Sequence, residues 1–317
     1  MHHHYTCLFF ASFYLTLCAD CPLVEHDEHP CEGDGDECIT AGDIRKRIEK
    51  LPNIVKAYMK AVLHDLKNYT VDEIIPIARS LRMEQHGEFL LNGEFVPFTA
   101  TQEFRTRYKH AGFVWNAVMK SKSCIPNLPM SVTVCDAYID GHGVMKAQIP
   151  GGIPAVNQRD TPQLNQGELL RWLAEATLYP LALLPPLEDK KSGEEDTVKW
   201  LESENDDNSA LLEFNHLGTK VQMTFRFDAE TNLVKSIQAM RPRAVGSTYE
   251  MTLWEGFCSK YELHGGLMIP THMEAGWYLE DGADPQIYFK GDNHNFVYLM
   301  NHPCGHCGKC EDVKHAE

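Results

Sequence analysis

The chain is short of positive charge. Its 29 Lys and Arg stand against 45 Asp and Glu in 317 residues, a formal net charge of −16. Such a chain repels nucleic acid and anionic membrane surfaces, which removes nucleic acid from the expected partners. No apolar run reaches the ~20 residues that a membrane-spanning helix needs, so no stable membrane span is expected. The phosphate-cradling glycine loop, the nucleophile elbow and the His-Glu-x-x-His metal helix are all missing. With them go the simplest signatures of nucleotide, acyl-transfer and zinc-protease chemistry. No internal repeat is visible either.

What is present begins at the ends. Residues 7–19, CLFFASFYLTLCA, are uncharged, too short to span a bilayer and right for a signal-peptide core, with Leu17-Cys18-Ala19 as a small-residue cleavage site. The preceding MHHHYT carries histidines where Lys or Arg is usual. The expected organisation is a signal peptide over 1–19, an acidic Cys-containing lead over 20–39, one curved-sheet domain over 40–291 and a Cys/His-rich tail over 292–317. The expected location is secreted or lumenal, and the Asn68-Tyr69-Thr70 sequon agrees with export.

Most of the cysteines cluster at the two ends, as disulfides in an oxidising compartment would allow. In the tail, Cys304, His306, Cys307 and Cys310 have knuckle spacing. Three chemistries stay open there: disulfides to Cys21, Cys31 or Cys38, a tetrahedral zinc, or a redox Cys-x-x-Cys pair. No other cofactor is expected. The acidic Asp34-Gly35-Asp36-Glu37 lacks the twelve-residue loop and closing Glu of an EF-hand.

Between the ends the hydrophobic period changes. A helix over 42–50 has Thr40 as its cap. A second, with Pro52 in its first turn, buries Ile54, Val55, Tyr58, Met59 and Val62 at helical spacing. From about residue 74 the pattern alternates. Residues 82–91 lead into Asn92-Gly93, the strongest two-residue hairpin signal, and 94–100 lead out. Further strands are expected at 102–108, 112–120, 130–139 and 144–149. After the helical stretch 166–180 and a Pro-rich, charged loop, more follow at 198–203, 210–217, 220–227, 233–243, 249–263, 268–278 and 286–289. The expected fold is α+β: a large curved antiparallel sheet, a half-open barrel, wrapped around the inserted helix, with two short N-terminal helices.

The inserted segment QGELLRWLAEATLYP is the centre of the functional reading. At 100° per residue, Glu168, Arg171, Trp172, Glu175 and Tyr179 fall within roughly a quarter-turn of one another. Leu169, Leu170, Leu173 and Ala176 lie largely on another side. A plain solvated helix explains the Glu168–Arg171 and Arg171–Glu175 spacings. A stripe facing a ligand cavity explains the two aromatic rings beside the charges and the absence of Lys. Strand residues that could face the stripe are Trp115, Asp136, Tyr138, Arg226, Trp254, Glu255 and Glu274. Carboxylates in a dry aromatic pocket have their pKa values pushed apart, which is how one becomes a proton donor and another a base.

The expected function is binding of a lipid or other apolar small molecule between sheet and helix. The alternatives are an enzyme using Glu168, Arg171 and Glu175 for acid/base chemistry on a small organic substrate, and a purely structural network.

Several blocks, in order, resemble a known family: Gln85-His86-Gly87-Glu88-Phe89, Phe98-Thr99-Ala100-Thr101-Gln102-Glu103-Phe104, Gly112-Phe113-Val114-Trp115, Asp136-Ala137-Tyr138, Gly167 to Glu175, Tyr179-Pro180, Thr224 to Asp228 and Trp254-Glu255-Gly256. They resemble an uncharacterised family of mainly bacterial proteins, domain of unknown function 6544 or 6920, over about residues 51–291. The resemblance implies a lipoprotein-carrier type of curved sheet around a helix and a shared site at these positions, with no established reaction. The Cys-rich lead and tail are extra. Phe289-Lys290-Gly291 stands where the family tends to have an aromatic, Arg and Gly.

Overall fold

The computed structural model describes residues 39–121, 130–186, 197–204, 206–246 and 248–300. The expected signal peptide, nearly all of the Cys-containing lead and the tail cysteines with His306 lie outside them. Among the described residues no helix is long and apolar enough to cross a membrane, and no cluster of metal-ligating side chains occurs.

Two short helices open the described chain. Helix α1 (Ala41–Glu49) is capped by Thr40, whose hydroxyl accepts from the Asp43 amide while the Asp43 carboxylate accepts from the Thr40 amide. This reciprocal capping satisfies amides that the first turn leaves free. Helix α2 (Asn53–Val62) follows Pro52 and buries Val55, Tyr58, Met59 and Val62.

Thirteen strands then form one antiparallel sheet. Strands β1 (Ala78–Leu91), β2 (Glu94–Arg105), β3 (Gly112–Ser121), β4 (Met130–Ile139), β5 (His142–Ile149) and β6 (Ile153–Arg159) precede helix α3 (Pro162–Glu175). Strands β7 (Thr197–Glu202), β8 (Ser209–His216), β9 (Thr219–Phe227), β10 (Val234–Val245), β11 (Thr248–His264), β12 (Leu267–Trp277) and β13 (Gln286–Met300) follow it. The spatial order is β6-β5-β4-β3-β2-β1-β13-β12-β11-β10-β9-β8-β7.

The long hairpin turns at Asn92 and Gly93, both at positive φ as a tight turn of this kind requires. Each half of the sheet is a meander, and the halves join where β1 pairs with β13. At that seam a Cβ on Gly87 would stand 1.9 Å from the Lys290 carbonyl oxygen, so the backbones meet where only glycine fits.

The two edge strands, β6 and β7, are consecutive in sequence, and α3 is the link between them. The chain must therefore cross the face of the sheet. Helix α3 packs against β3, β4 and β5 and also against β9 and β10. Laid flat, β4 and β9 would be about 38 Å apart at ~4.8 Å per strand, and a helix is only ~10 Å wide. Contact with both is possible only because the sheet curls around the helix.

Three differences from the expected elements have simple causes. The expected strand at 102–108 is the end of β2, which continues without a break to Arg105. Strand β6 goes unpredicted because it is an exposed edge with no buried face, so its sequence does not alternate in polarity. The last strand runs to Met300, pairing that residue with Ala78, so the sheet domain continues beyond the expected limit of 291.

Candidate functional site

Between α3 and the inner face of the curl lies a cavity of about 300 Å³. Its walls are mostly apolar: Phe89 and Leu91 from β1, Met119 from β3, Val132 and Val134 from β4, Met273 from β12, with Tyr288 and Phe289 from β13. Leu91, Val132, Val134, Met145 and Ala147 are among the lining residues that are only partly buried. The polar lining is concentrated on the helix and the strands nearest it.

Helix α3 starts at Thr161, whose hydroxyl accepts from the Leu164 amide, followed by Pro162, a residue suited to a first turn. Sandwiched between two parts of the sheet, the helix buries most of its circumference, and only a narrow strip faces the cavity: Glu168, Arg171, Ala174 and Glu175.

Arg171 is fully engaged. Its Nε donates to Glu175 Oε1 at 2.9 Å, its Nη1 donates to Asp136 Oδ2, and its guanidinium lies 4.5 Å from the Phe113 ring centroid and 5.1 Å from that of Trp115. Glu175 is held further by Gln102, which donates to Oε2 at 2.5 Å. Burial opposes the Arg171 charge, but Glu175 and then Asp136 outweigh it and raise the pKa above its ordinary value.

Glu168 differs. It is 4% exposed, and its nearest cation is Arg241 on β10, at 3.9 Å. Burial first, and then the Asp136 charge, push its pKa well above the usual 4.5, which favours the protonated form. Its Oε2 is buried without a hydrogen-bond partner, as is Asp136 Oδ1.

Around these groups, Trp115 Nε1 donates to Gln85 Oε1 at 2.6 Å, and Gln85 Nε2 donates to Asn293 Oδ1 at 2.6 Å. Trp254 Nε1 donates to the Tyr288 hydroxyl at 3.0 Å. Gly256, two residues along the same face, lies beneath the Trp254 indole: a Cβ there would be 2.7 Å from the ring. Glu274 lines the cavity beside His272, 3.4 Å away.

Seven of the sequence-predicted residues therefore converge: Trp115, Asp136, Glu168, Arg171, Glu175, Trp254 and Glu274. Five do not line the cavity. Trp172 turns into the core, stacked between Phe104 at 5.5 Å and Phe214 at 5.2 Å, because the helix is wrapped on that side too. Tyr138 is fully buried, its hydroxyl 2.9 Å from His216 Nδ1, and so ties β4 to β8. Tyr179 accepts from the Ala78 amide at 2.9 Å, beyond the end of α3.

Arg226 and Glu255 point to the other face of the sheet. The period of two that buries Phe225 and Phe227, and turns Trp254 and Gly256 to the cavity, sends the residues between them outward. Arg226 there pairs with Asp206 at 2.8 Å, and Glu255 accepts from the Tyr278 hydroxyl. Arg241 and Gln85 are the polar residues of the site that sequence reasoning missed. Gln85 sits in one of the resembling blocks, whereas Arg241 carries no local signal.

In overall structure the chain is similar to a LolA superfamily protein from Nitrosomonas europaea, at 10% identity over 84% of this chain and 96% of that one, with a TM-score of 0.37. It is also similar to a DUF1329 family protein from Desulfovibrio piger, at 13% identity over 77% of this chain and 92% of that one, with a TM-score of 0.38. No curated protein matches it. Residues 44–291, most of the chain, match the family of unknown function DUF6544, and the protein belongs to that family.

Proposed function

We propose that this protein binds an apolar small molecule, such as a lipid chain, in the cavity between α3 and the inner face of the sheet. One observation carries the reading: the interior hollow is walled by Phe, Leu, Met, Val and Trp, with few convergent polar groups at the helix. That is the composition of small-molecule sites, and the volume lies at the lower end of their ~300–1,000 Å³ range. The N-terminal apolar run and the sequon fit a protein that works outside the cytoplasm.

Of the three residues expected to do acid/base chemistry, Arg171 and Glu175 are occupied with each other and with Asp136 and Gln102. Only Glu168 retains an unpartnered oxygen. This favours binding over turnover by a Glu/Arg/Glu trio.

The test uses a neutral apolar fluorophore, phenylnaphthylamine. It should bind saturably to the wild-type protein, and Ala147→Phe, at a partly exposed wall position, should weaken it by at least about tenfold with the circular dichroism spectrum unchanged. Undiminished affinity in a folded Ala147→Phe protein would show that the dye sits elsewhere and remove the basis of the reading.

A further inference from the structure

The two arginines of the cavity are not equivalent. Arg171 has two carboxylate partners and two aromatic faces. Arg241, its side chain 11% exposed, has Glu168 at 3.9 Å, beyond hydrogen-bonding distance, and the rings of Trp254 and Trp277 at 5.5 and 6.0 Å. Among the described residues no acceptor takes a hydrogen bond from its guanidinium. Such a cation, largely buried and without a close acceptor, favours an anionic partner.

The carboxylates of the cavity are engaged elsewhere. Asp136 and Glu175 are both drawn to Arg171, Glu274 lies 3.4 Å from His272, and burial with the neighbouring Asp136 charge favours the protonated form of Glu168. Arg241 is left with Glu168 beside it at 3.9 Å, and Glu168 Oε2 is buried without a hydrogen-bond partner. A ligand oxyanion would accept from both.

We propose that the ligand is a single-chain amphiphile with a carboxylate head, the head seated between Arg241 and Glu168 and the chain lying against Phe89, Met273 and Phe289. This rests on the reading of the cavity as an apolar-ligand site and adds the ligand's charge. A carboxylate suits the site in shape, because the Arg241 guanidinium and the Glu168 carboxyl in its protonated form offer donors for its two oxygens. The volume suits one chain rather than several.

Competition against bound phenylnaphthylamine by decanoate and by decanol tests the head group, since the two share a chain length. The wild-type protein should prefer decanoate by at least about tenfold, the size of one charge-assisted hydrogen bond. Arg241→Gln should bring the ratio of decanoate to decanol affinity down to less than about twofold, and Arg241→Lys should restore part of that ratio. Equal binding of decanoate and decanol to the wild type, or a folded Arg241→Gln protein that still prefers decanoate, overturns the carboxylate assignment and leaves the apolar site standing. Failure of decanol and the dye alike would overturn the site itself.

A second measurement needs no variant. The charged and titratable groups around Glu168 are Asp136 on β4, Arg171 and Glu175 on α3, Arg241 on β10, and Glu274 with His272 on β12. Above about pH 6, where the fatty carboxylate is itself ionised, decanoate affinity should fall as pH rises, because Glu168 loses the proton it donates. Decanol affinity should fall less. Parallel profiles for the two would count against the assignment.

Discussion

Glu168 and Arg171 sit three residues apart on one helix and have opposite fates, decided by partners that the helix does not contain. Arg171 meets Asp136 from β4 and Glu175 from its own helix, whereas Glu168 meets an aspartate and a distant arginine. The raised Glu168 pKa has a definite thermodynamic sign. The folded protein holds a proton that the unfolded chain releases above its ordinary value of 4.5. Stability from this group is therefore complete below that value and declines as pH climbs toward the folded-state pKa. Glu168→Gln keeps the shape and removes the ionisation. Its melting temperature relative to wild type should rise as pH increases above the ordinary value of 4.5, as followed by circular dichroism. A difference that does not change with pH above 4.5 would mean that Glu168 is charged in the folded state.

At the scale of the element, α3 is a wedge. It links the two edge strands of an open sheet and must lie where the sheet curls, so its side chains are shared out among several walls. Trp172 fills the gap between β2 and β8, with Phe104 and Phe214 on its two sides and its indole N–H donating to the Arg105 carbonyl at 2.9 Å. Trp172→Ala removes both stacks and the hydrogen bond and leaves a large void. The expected loss is about 3–5 kcal/mol, measurable by urea denaturation. A loss of less than about 1 kcal/mol would show that the two halves of the sheet do not depend on this ring. The helix was legible from its spacing, and so was its division into a leucine side and a charged side. The placing of Trp172 with the charges was not legible, because a helical wheel assumes one buried side and this helix has several.

At the scale of the whole molecule, the controlling contact is the pairing of β1 with β13. It joins strands about 200 residues apart and turns two meanders into one continuous sheet. Residues beyond Gly291 supply much of that seam, including Asn293, which accepts from Gln85 under the cavity wall. A chain ended after residue 291 should therefore lose cooperative unfolding and phenylnaphthylamine binding together, whereas a chain ended after residue 300 should retain both. Retention of a sharp transition in the shorter chain would show that the seam is dispensable.

By itself the sequence determined the elements and most of their faces. Alternation with Asn92-Gly93 specified the long hairpin, Thr40 and Pro52 specified the helix starts, and the rows of apolar residues on β8 and β9 specified which side is buried. These are local properties, written within a few residues of where they act. Only the tertiary structure decided which polar residues share the cavity. Arg241 lies about seventy residues from Glu168 in a strand with no distinguishing pattern, and Arg226 and Glu255 are turned outward by a strand parity that the site's chemistry does not reveal. The reason is physical: burial, charge pairing and pKa are set by neighbours across the curl, and the neighbours exist only once the sheet has wrapped the helix.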